Sequence, residues 1–133
     1  MADWSEKRRE NAAYQAQELQ KREARDTELA RKLIAEFLAL PTTQKPTPSK
    51  LQARDFSGKR TYRTSVIGWY LKQNKSVAIS TTGEFYVLLV EKTLRNKIFG
   101  ATPNPGTPPL VLGAGGSAGE SIDLKDALGK LVN

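Results

Sequence analysis

The sequence predicts an α+β fold: an antiparallel β-meander of four or five strands held between a long N-terminal α-helix and a short C-terminal α-helix. Three observations lead there. Residues 4–40 contain neither Gly nor Pro and are dominated by Ala, Gln, Glu, Lys, Arg and Leu, the strong helix formers. Residues 51–90 break into β-branched and aromatic stretches separated by turn residues. After a glycine-rich stretch, Leu124, Leu128 and Leu131 recur at helical spacing.

The first helix has Asp3 or Ser5 as its expected N-cap and Pro41 as its stop. Opposite charges four apart (Asp3/Lys7, Glu18/Arg22, Glu28/Lys32) support it. Its halves differ. Residues 5–28 offer only Tyr14 and Leu19 as sizeable apolar side chains, whereas residues 29–40 carry Leu29, Leu33, Ile34, Phe37, Leu38 and Leu40. The second half therefore has an apolar face to dock, and the first half is expected to project into solvent. Ala30, Leu33, Phe37 and Leu40 fit a coiled-coil seam for under two heptads, too short to argue one.

Residues 41–50 hold three prolines and read as a semi-extended linker. The expected organisation is thus a charged helix over 1–40, a Pro-rich linker over 41–50 and a compact α+β domain over 51–133. In that domain, strands are expected over 51–56, 60–71, 76–80 and 84–90, with turns at Ser57-Gly58, Gln73-Asn74-Lys75 and Thr82-Gly83. In the second strand Arg63, Ser65, Ile67, Trp69 and Leu71 share one face, and Tyr62, Thr64, Val66, Gly68 and Tyr70 the other. Bulk on both faces predicts a sheet covered at least partly on each side, once by the end of the first helix. Residues 92–99 read as a short basic helix ended by Gly100. Four prolines within 103–109 mark an irregular crossing, and residues 110–112 a short strand. The glycine-rich loop 113–119 follows, then a helix over 124–132 capped by Ser121 or Asp123.

Composition narrows the chemistry. The chain has no Cys and no His, which removes disulfides, thiolate nucleophiles, sulfur-ligated zinc, the usual general base and the commonest metal ligand. Serines and lysines are present, but no spacing singles out a Ser–Lys dyad, and the carboxylates form no cluster. The expectation is a non-enzymatic protein without cofactor or metal. The N-terminus lacks the apolar core of a signal peptide. The longest strongly apolar run, residues 85–90, falls far short of the roughly 20 residues that span a bilayer. A cytoplasmic protein is expected.

Charge is the most informative feature. Residues 1–40 are neutral overall, residues 41–100 carry a net +8 and residues 101–133 a net −1. A concentrated positive field reads as a docking surface for an anionic partner. The candidate phosphate contacts are Lys59, Arg60, Arg63, Lys72, Lys75, Lys92, Arg95 and Lys97, with Trp69 or Tyr70 as stacking platforms for unpaired bases. The competing reading is that lysines at hairpin tips guard sheet edges and that Trp69 belongs to the core.

Three motifs fail on inspection. Gly113-Ala114-Gly115-Gly116-Ser117-Ala118 after a short strand looks like a dinucleotide-binding turn. That fold needs a further strand and an acidic residue about 20 positions on, where this chain has only Asn133. A phosphate-loop alignment puts Glu120 where lysine belongs. The loop reads either as an anion-binding turn or as a plain mobile loop into a capped helix. Gly83-Glu84-Phe85-Tyr86-Val87 is faintly like the aromatic strand of an RNA-recognition motif, but no helix fits between these strands.

Gly68-Trp69-Tyr70-Leu71, the Gly83-x-Phe85-Tyr86-Val87-Leu88 strand and Pro108-Pro109-Leu110-Val111-x-Gly113-x-Gly115-Gly116-x-x-Gly119-Glu120-Ser121 together resemble a family of small actinobacterial proteins with no assigned function. Its members also begin with a charged Ala/Glu/Arg-rich helix. The resemblance covers most of the chain and implies one intact domain in a bacterial cytoplasm.

The leading expectation is therefore a small basic module that contacts RNA or the ribosome through its sheet and loops. The alternative is a protein-interaction adaptor that recruits its partner through residues 1–28. Attachment to anionic lipid headgroups is a third, weaker reading, because residues 5–28 lack the apolar face of a membrane-surface helix.

Overall fold

The computed structural model describes residues 2–113 and 121–132. Helix α1 (Ala2–Leu38) runs for 37 residues, about 55 Å at the usual helical rise. It begins at Ala2, so Asp3 and Ser5 lie inside the helix rather than ahead of it. The ion pair seen along it joins Lys21 to Glu18, three residues apart at 3.7 Å, where the sequence pairs Glu18 with Arg22. From Trp4 to Leu29 no residue is buried, and from Ala30 onward the apolar stripe docks. The Lys45 ammonium closes the helix by donating to the Leu38 carbonyl at 2.6 Å, a cation at the negative end of the helix dipole.

The connection to the sheet is more ordered than a linker. A 3-10 turn occupies Thr42–Gln44, and strand β1 (Ser49–Asp55) starts two residues earlier than expected. Strands β2 (Thr61–Tyr70), β3 (Val77–Ser80) and β4 (Phe85–Val87) follow as the expected antiparallel meander.

The predicted strand over 84–90 is in fact two. At Leu88 the segment changes partner, and β5 (Leu89–Val90) lies parallel to β1. Leu88 belongs to both sides, its N–H donating to Ser76 and its carbonyl accepting from Arg54, each at 2.8 Å. The sheet is therefore mixed rather than purely antiparallel. It has six strands, because β6 (Pro105–Gly106) pairs with β4 in the region expected to be an irregular crossing. Helix α2 (Leu94–Phe99) sits between β5 and β6, capped by the Thr93 hydroxyl and ended at Gly100 with φ 82°. A small ladder of β7 (Val111–Leu112) and β8 (Ile122–Asp123) leads into α3 (Leu124–Leu131). Asp123 stands at the N-cap position but makes no side-chain cap; the helix start is fastened by Leu124 N–H donating to the Leu110 carbonyl. The question of anion binding by the glycine-rich loop falls on residues 114–120, outside the described residues.

The alternation along β2 divides the interior as the sequence predicts. Tyr62, Val66 and Tyr70 face inward with Leu51, Ala53, Ala78, Tyr86 and Leu88, inside the curl of the sheet. Trp69 and Leu71 face outward with Val77, Ile79 and Phe85, under Ala30, Ile34 and Phe37 of α1 and Leu124, Ala127 and Leu128 of α3.

The curl requires two local devices. The β1–β2 register shifts between Lys50 and Gln52, forming a bulge. Its loose backbone groups are taken up by side chains: the Thr64 hydroxyl donates to the Leu51 carbonyl at 2.7 Å, and the Gln52 N–H donates to the Tyr70 hydroxyl at 2.8 Å. At Gly68, paired with Ser49 on one side and Ser80 on the other, a methyl group would lie 1.9 Å from the Ile79 carbonyl oxygen.

Gly68→Ala is therefore expected to force the two strands apart and to cost about 3 kcal/mol or more, measured by urea denaturation. Thr64→Val, which leaves the buried Leu51 carbonyl without its partner, should cost about 1–3 kcal/mol in the same assay.

Candidate nucleic-acid interface

The β1–β2 turn is built around one carboxylate. Asp55 is buried, its Oδ1 accepts from the Ser57 hydroxyl at 2.7 Å, and the Lys59 N–H donates to the same Ser57 oxygen at 3.3 Å. Gly58 takes the positive φ of 74° that closes the turn. The Ser57 hydrogen bond, helped by the backbone N–H groups of Arg60, Gly58 and Lys59 and opposed by burial, holds the Asp55 carboxyl below its ordinary 3.8. This turn fixes where Lys59 and Arg60 leave the sheet.

Helix α2 is brought to the same end of the sheet. Asp55 pairs with Val90, so the chain leaving β5 emerges beside the turn. Two bonds then tie the far end of α2 to β2. The Arg63 guanidinium donates to the Ile98 carbonyl at 3.0 Å, and the Ala101 N–H donates to the Arg63 carbonyl at 2.8 Å. A guanidinium carries five donors in a rigid fork, and the bond to Ile98 uses one of them. Close packing makes Gly100 necessary as well, since a methyl there would lie 2.7 Å from the Arg63 carbonyl oxygen.

Between these elements runs a groove of about 470 Å³ lined by Arg60, Thr61, Tyr62, Arg63, Asn96 and Lys97. None of the lining residues is acidic. Lys59, Lys92 and Arg95 are exposed at the same end, on the turn and around α2. The segments 54–63 and 89–99 together hold seven basic and two acidic residues.

The ten residues picked from sequence thus do not form one patch. Arg60, Arg63 and Lys97 converge on the groove, with Lys59, Lys92 and Arg95 around it. Lys72 and Lys75 lie in the β2–β3 turn at the opposite end of β2, up to about 30 Å away for an extended run of this length. The Lys75 ammonium sits 5.4 Å from the centre of the Tyr70 ring.

Both proposed stacking residues are engaged by their surroundings. Trp69 is 7% exposed; its ring meets Phe37 edge-on at 5.1 Å, and its indole N–H donates to the Pro46 carbonyl at 2.8 Å. No face is left for a base. Tyr70 is half-buried, with its hydroxyl accepting from the Gln52 N–H and Lys75 over its ring.

Two exposed rings lie on the segments beside the groove. Phe56, in the β1–β2 turn, is 72% exposed, and Phe99, at the end of α2, is 76% exposed. Helix α2 has no buried residue at all, and Leu94 and Ile98 are exposed with Phe99. Sequence reasoning placed Phe56 and Phe99 as the ends of a strand and a helix. The available signal was their position immediately before Ser57-Gly58 and before Gly100, where neither sheet nor helix continues to cover them. Among the described residues, no group of three or more carboxylates converges in a way that could hold a metal ion, and no helix is long and apolar enough to cross a membrane.

No family model, curated protein or solved structure matches the chain.

A depressed carboxylate stabilises the folded state above its ordinary pKa and loses that contribution as pH falls through the folded value. Stability measured by urea denaturation should therefore drop as pH is taken from neutral down past 3.8. Asp55→Asn should be less stable than the parent at neutral pH and show a shallower loss on acidification.

Proposed function

We propose that this protein is a non-enzymatic cytoplasmic module that binds RNA, free or within the ribosome, through the groove between the β1–β2 turn and α2. The observation that carries the reading is the convergence of Arg60, Arg63 and Lys97 on one groove whose lining contains no acidic residue. Cations gathered at one end of a small domain bind phosphates by releasing condensed counterions, and the affinity then falls steeply with salt. Arg60 and Arg63 are suited to bidentate phosphate contact, and Lys97 acts as a point charge opposite them. The three exposed cations around the groove extend the field without lining it. Membership of the actinobacterial family that the sequence resembles belongs to the same proposal and adds a bacterial setting.

A second reading, recruitment of a protein partner by α1, rests on a separate observation. From Trp4 to Leu29 no residue of the helix is fully buried, and Trp4, Tyr14, Leu19 and Leu29 are exposed along it. The two readings use opposite parts of the chain and separate cleanly.

Binding of RNA by the full chain, measured by fluorescence anisotropy across a salt series, tests the proposal. The double variant Arg60→Glu/Lys97→Glu should weaken binding by about tenfold or more and flatten the salt slope by roughly 1–2. The variant Lys72→Glu/Lys75→Glu should change affinity by less than about threefold, because those residues lie at the far end of the sheet. Deletion of residues 1–28 should leave RNA binding intact; loss of binding on that deletion would favour the arm.

A further inference from the structure

We infer that the strand held at this end of the molecule is unpaired, with bases stacked on Phe56 and Phe99; the inference rests on the RNA reading above. Both rings are exposed on the two segments that carry the cations. Phe56 precedes Ser57 in the turn that presents Lys59 and Arg60, and Phe99 follows Ile98, whose carbonyl receives the Arg63 guanidinium. They also stand on fixed mounts. Phe56 is held by the Asp55–Ser57 turn, and Phe99 by the Thr93 cap, the Arg63 bond and the closure at Gly100, whose N–H donates to Asn96 at 3.0 Å. With the backbone fixed, stacking a base orders only the two side-chain torsions of each ring, a small cost.

The kind of RNA follows from what each form presents. A duplex offers phosphates and 2′-hydroxyls on its outside but keeps its base faces stacked within, so exposed rings have nothing to meet. An unpaired strand offers phosphates to the groove and base faces to the rings at once. The groove, about 470 Å³, falls in the size range of a small-molecule site and suits one or two nucleotides rather than a helix.

An anionic membrane fits the same surface less well. A helix that lies in a lipid interface needs a continuous apolar face over several turns. Helix α2 has six residues, and Arg95 falls between Ile98 and Phe99 around its exposed surface. The charge complement is present for lipid, but the apolar face is not.

The test uses the full chain with a short uridine-rich single strand, an RNA duplex of the same length, and vesicles with and without phosphatidylserine. The single strand should bind at least tenfold tighter than the duplex. Phe56→Ala/Phe99→Ala should weaken single-strand binding by roughly tenfold per ring, leave the duplex affinity unchanged and keep the salt slope of the parent. Phe56→Tyr/Phe99→Tyr should restore the single-strand affinity, which separates stacking from any loss of structure. Equal binding of both RNAs with no effect of the alanine pair would overturn the stacking inference and leave the RNA reading standing. Failure of both RNAs to bind at low salt overturns both readings. Binding to acidic vesicles that is lost in the alanine pair, without single-strand preference, would assign the surface to lipid instead.

Discussion

Leu88 is where a single extended segment changes partner, and the rest of the molecule is arranged around that change. Its N–H is committed to Ser76, just ahead of β3, and its carbonyl to β1, while its side chain is fully buried within the curl. Without the switch, residues 85–90 would continue as the far edge of a flat meander and leave β1 with an unpaired edge, a template for aggregation. With it, the sheet is carried back toward its first strand and encloses its own small core. The placement of α2 is a consequence. Because β5 runs parallel to the end of β1, the chain leaving it emerges beside the β1–β2 turn, and Lys97 comes to face Arg60 and Arg63. The cationic groove is thus a product of strand pairing rather than of local sequence.

Curling a sheet this small loosens backbone groups that cannot be left dry, and the interior polar side chains are used to satisfy them. Thr64 and Tyr70 both serve the register shift between β1 and β2, one as donor and one as acceptor. Gly68 permits β2 and β3 to approach where a side chain would collide with backbone. Trp69, on the opposite face, joins three elements: Phe37 of α1, the connection at Pro46 and the sheet itself. A core this size relies on such multiply engaged residues, since small domains bury a limited fraction of their surface.

Much of this architecture was legible, and the parts that were not share a cause. The division of α1 at about residue 29 followed from where large apolar residues begin, and Ala30, Ile34 and Phe37 are indeed its buried positions. The two faces of β2 followed from period-two alternation. The short helix ended by Gly100 followed from composition and a left-handed terminator. Each of these is a local property. The parallel β5, the bulge at Lys50–Gln52 and the pairing of Pro105–Gly106 with β4 depend on which distant segment becomes a neighbour. A uniform apolar run such as Phe85-Tyr86-Val87-Leu88-Leu89-Val90 carries no mark of the residue at which it changes partner. For the site, residue type does not tell which faces the fold uses. Trp69 and Tyr70 had the chemistry of platforms, but the fold had already used their faces and polar atoms; Phe56 and Phe99 looked structural and are exposed.

The net +8 of residues 41–100 is a property of the sequence, whereas a binding surface is a property of distances. Both turns that flank β2 are basic, and in one dimension they add. In the fold they stand at opposite ends of a ten-residue strand, up to about 30 Å apart when extended. At 0.1 M salt the screening length is about 10 Å, so charges at one end contribute little potential at the other. Lys72 and Lys75 can speed the approach of a polyanion at low salt, but they do not share phosphates with Arg60, Arg63 and Lys97 unless the partner is long enough to reach both ends. The same reasoning limits α1. Its exposed part is electrically neutral and extends for about 40 Å, so it neither adds to the groove's field nor opposes it. Whatever α1 contributes must come from direct contact along its surface, and that separates its role physically from that of the basic end.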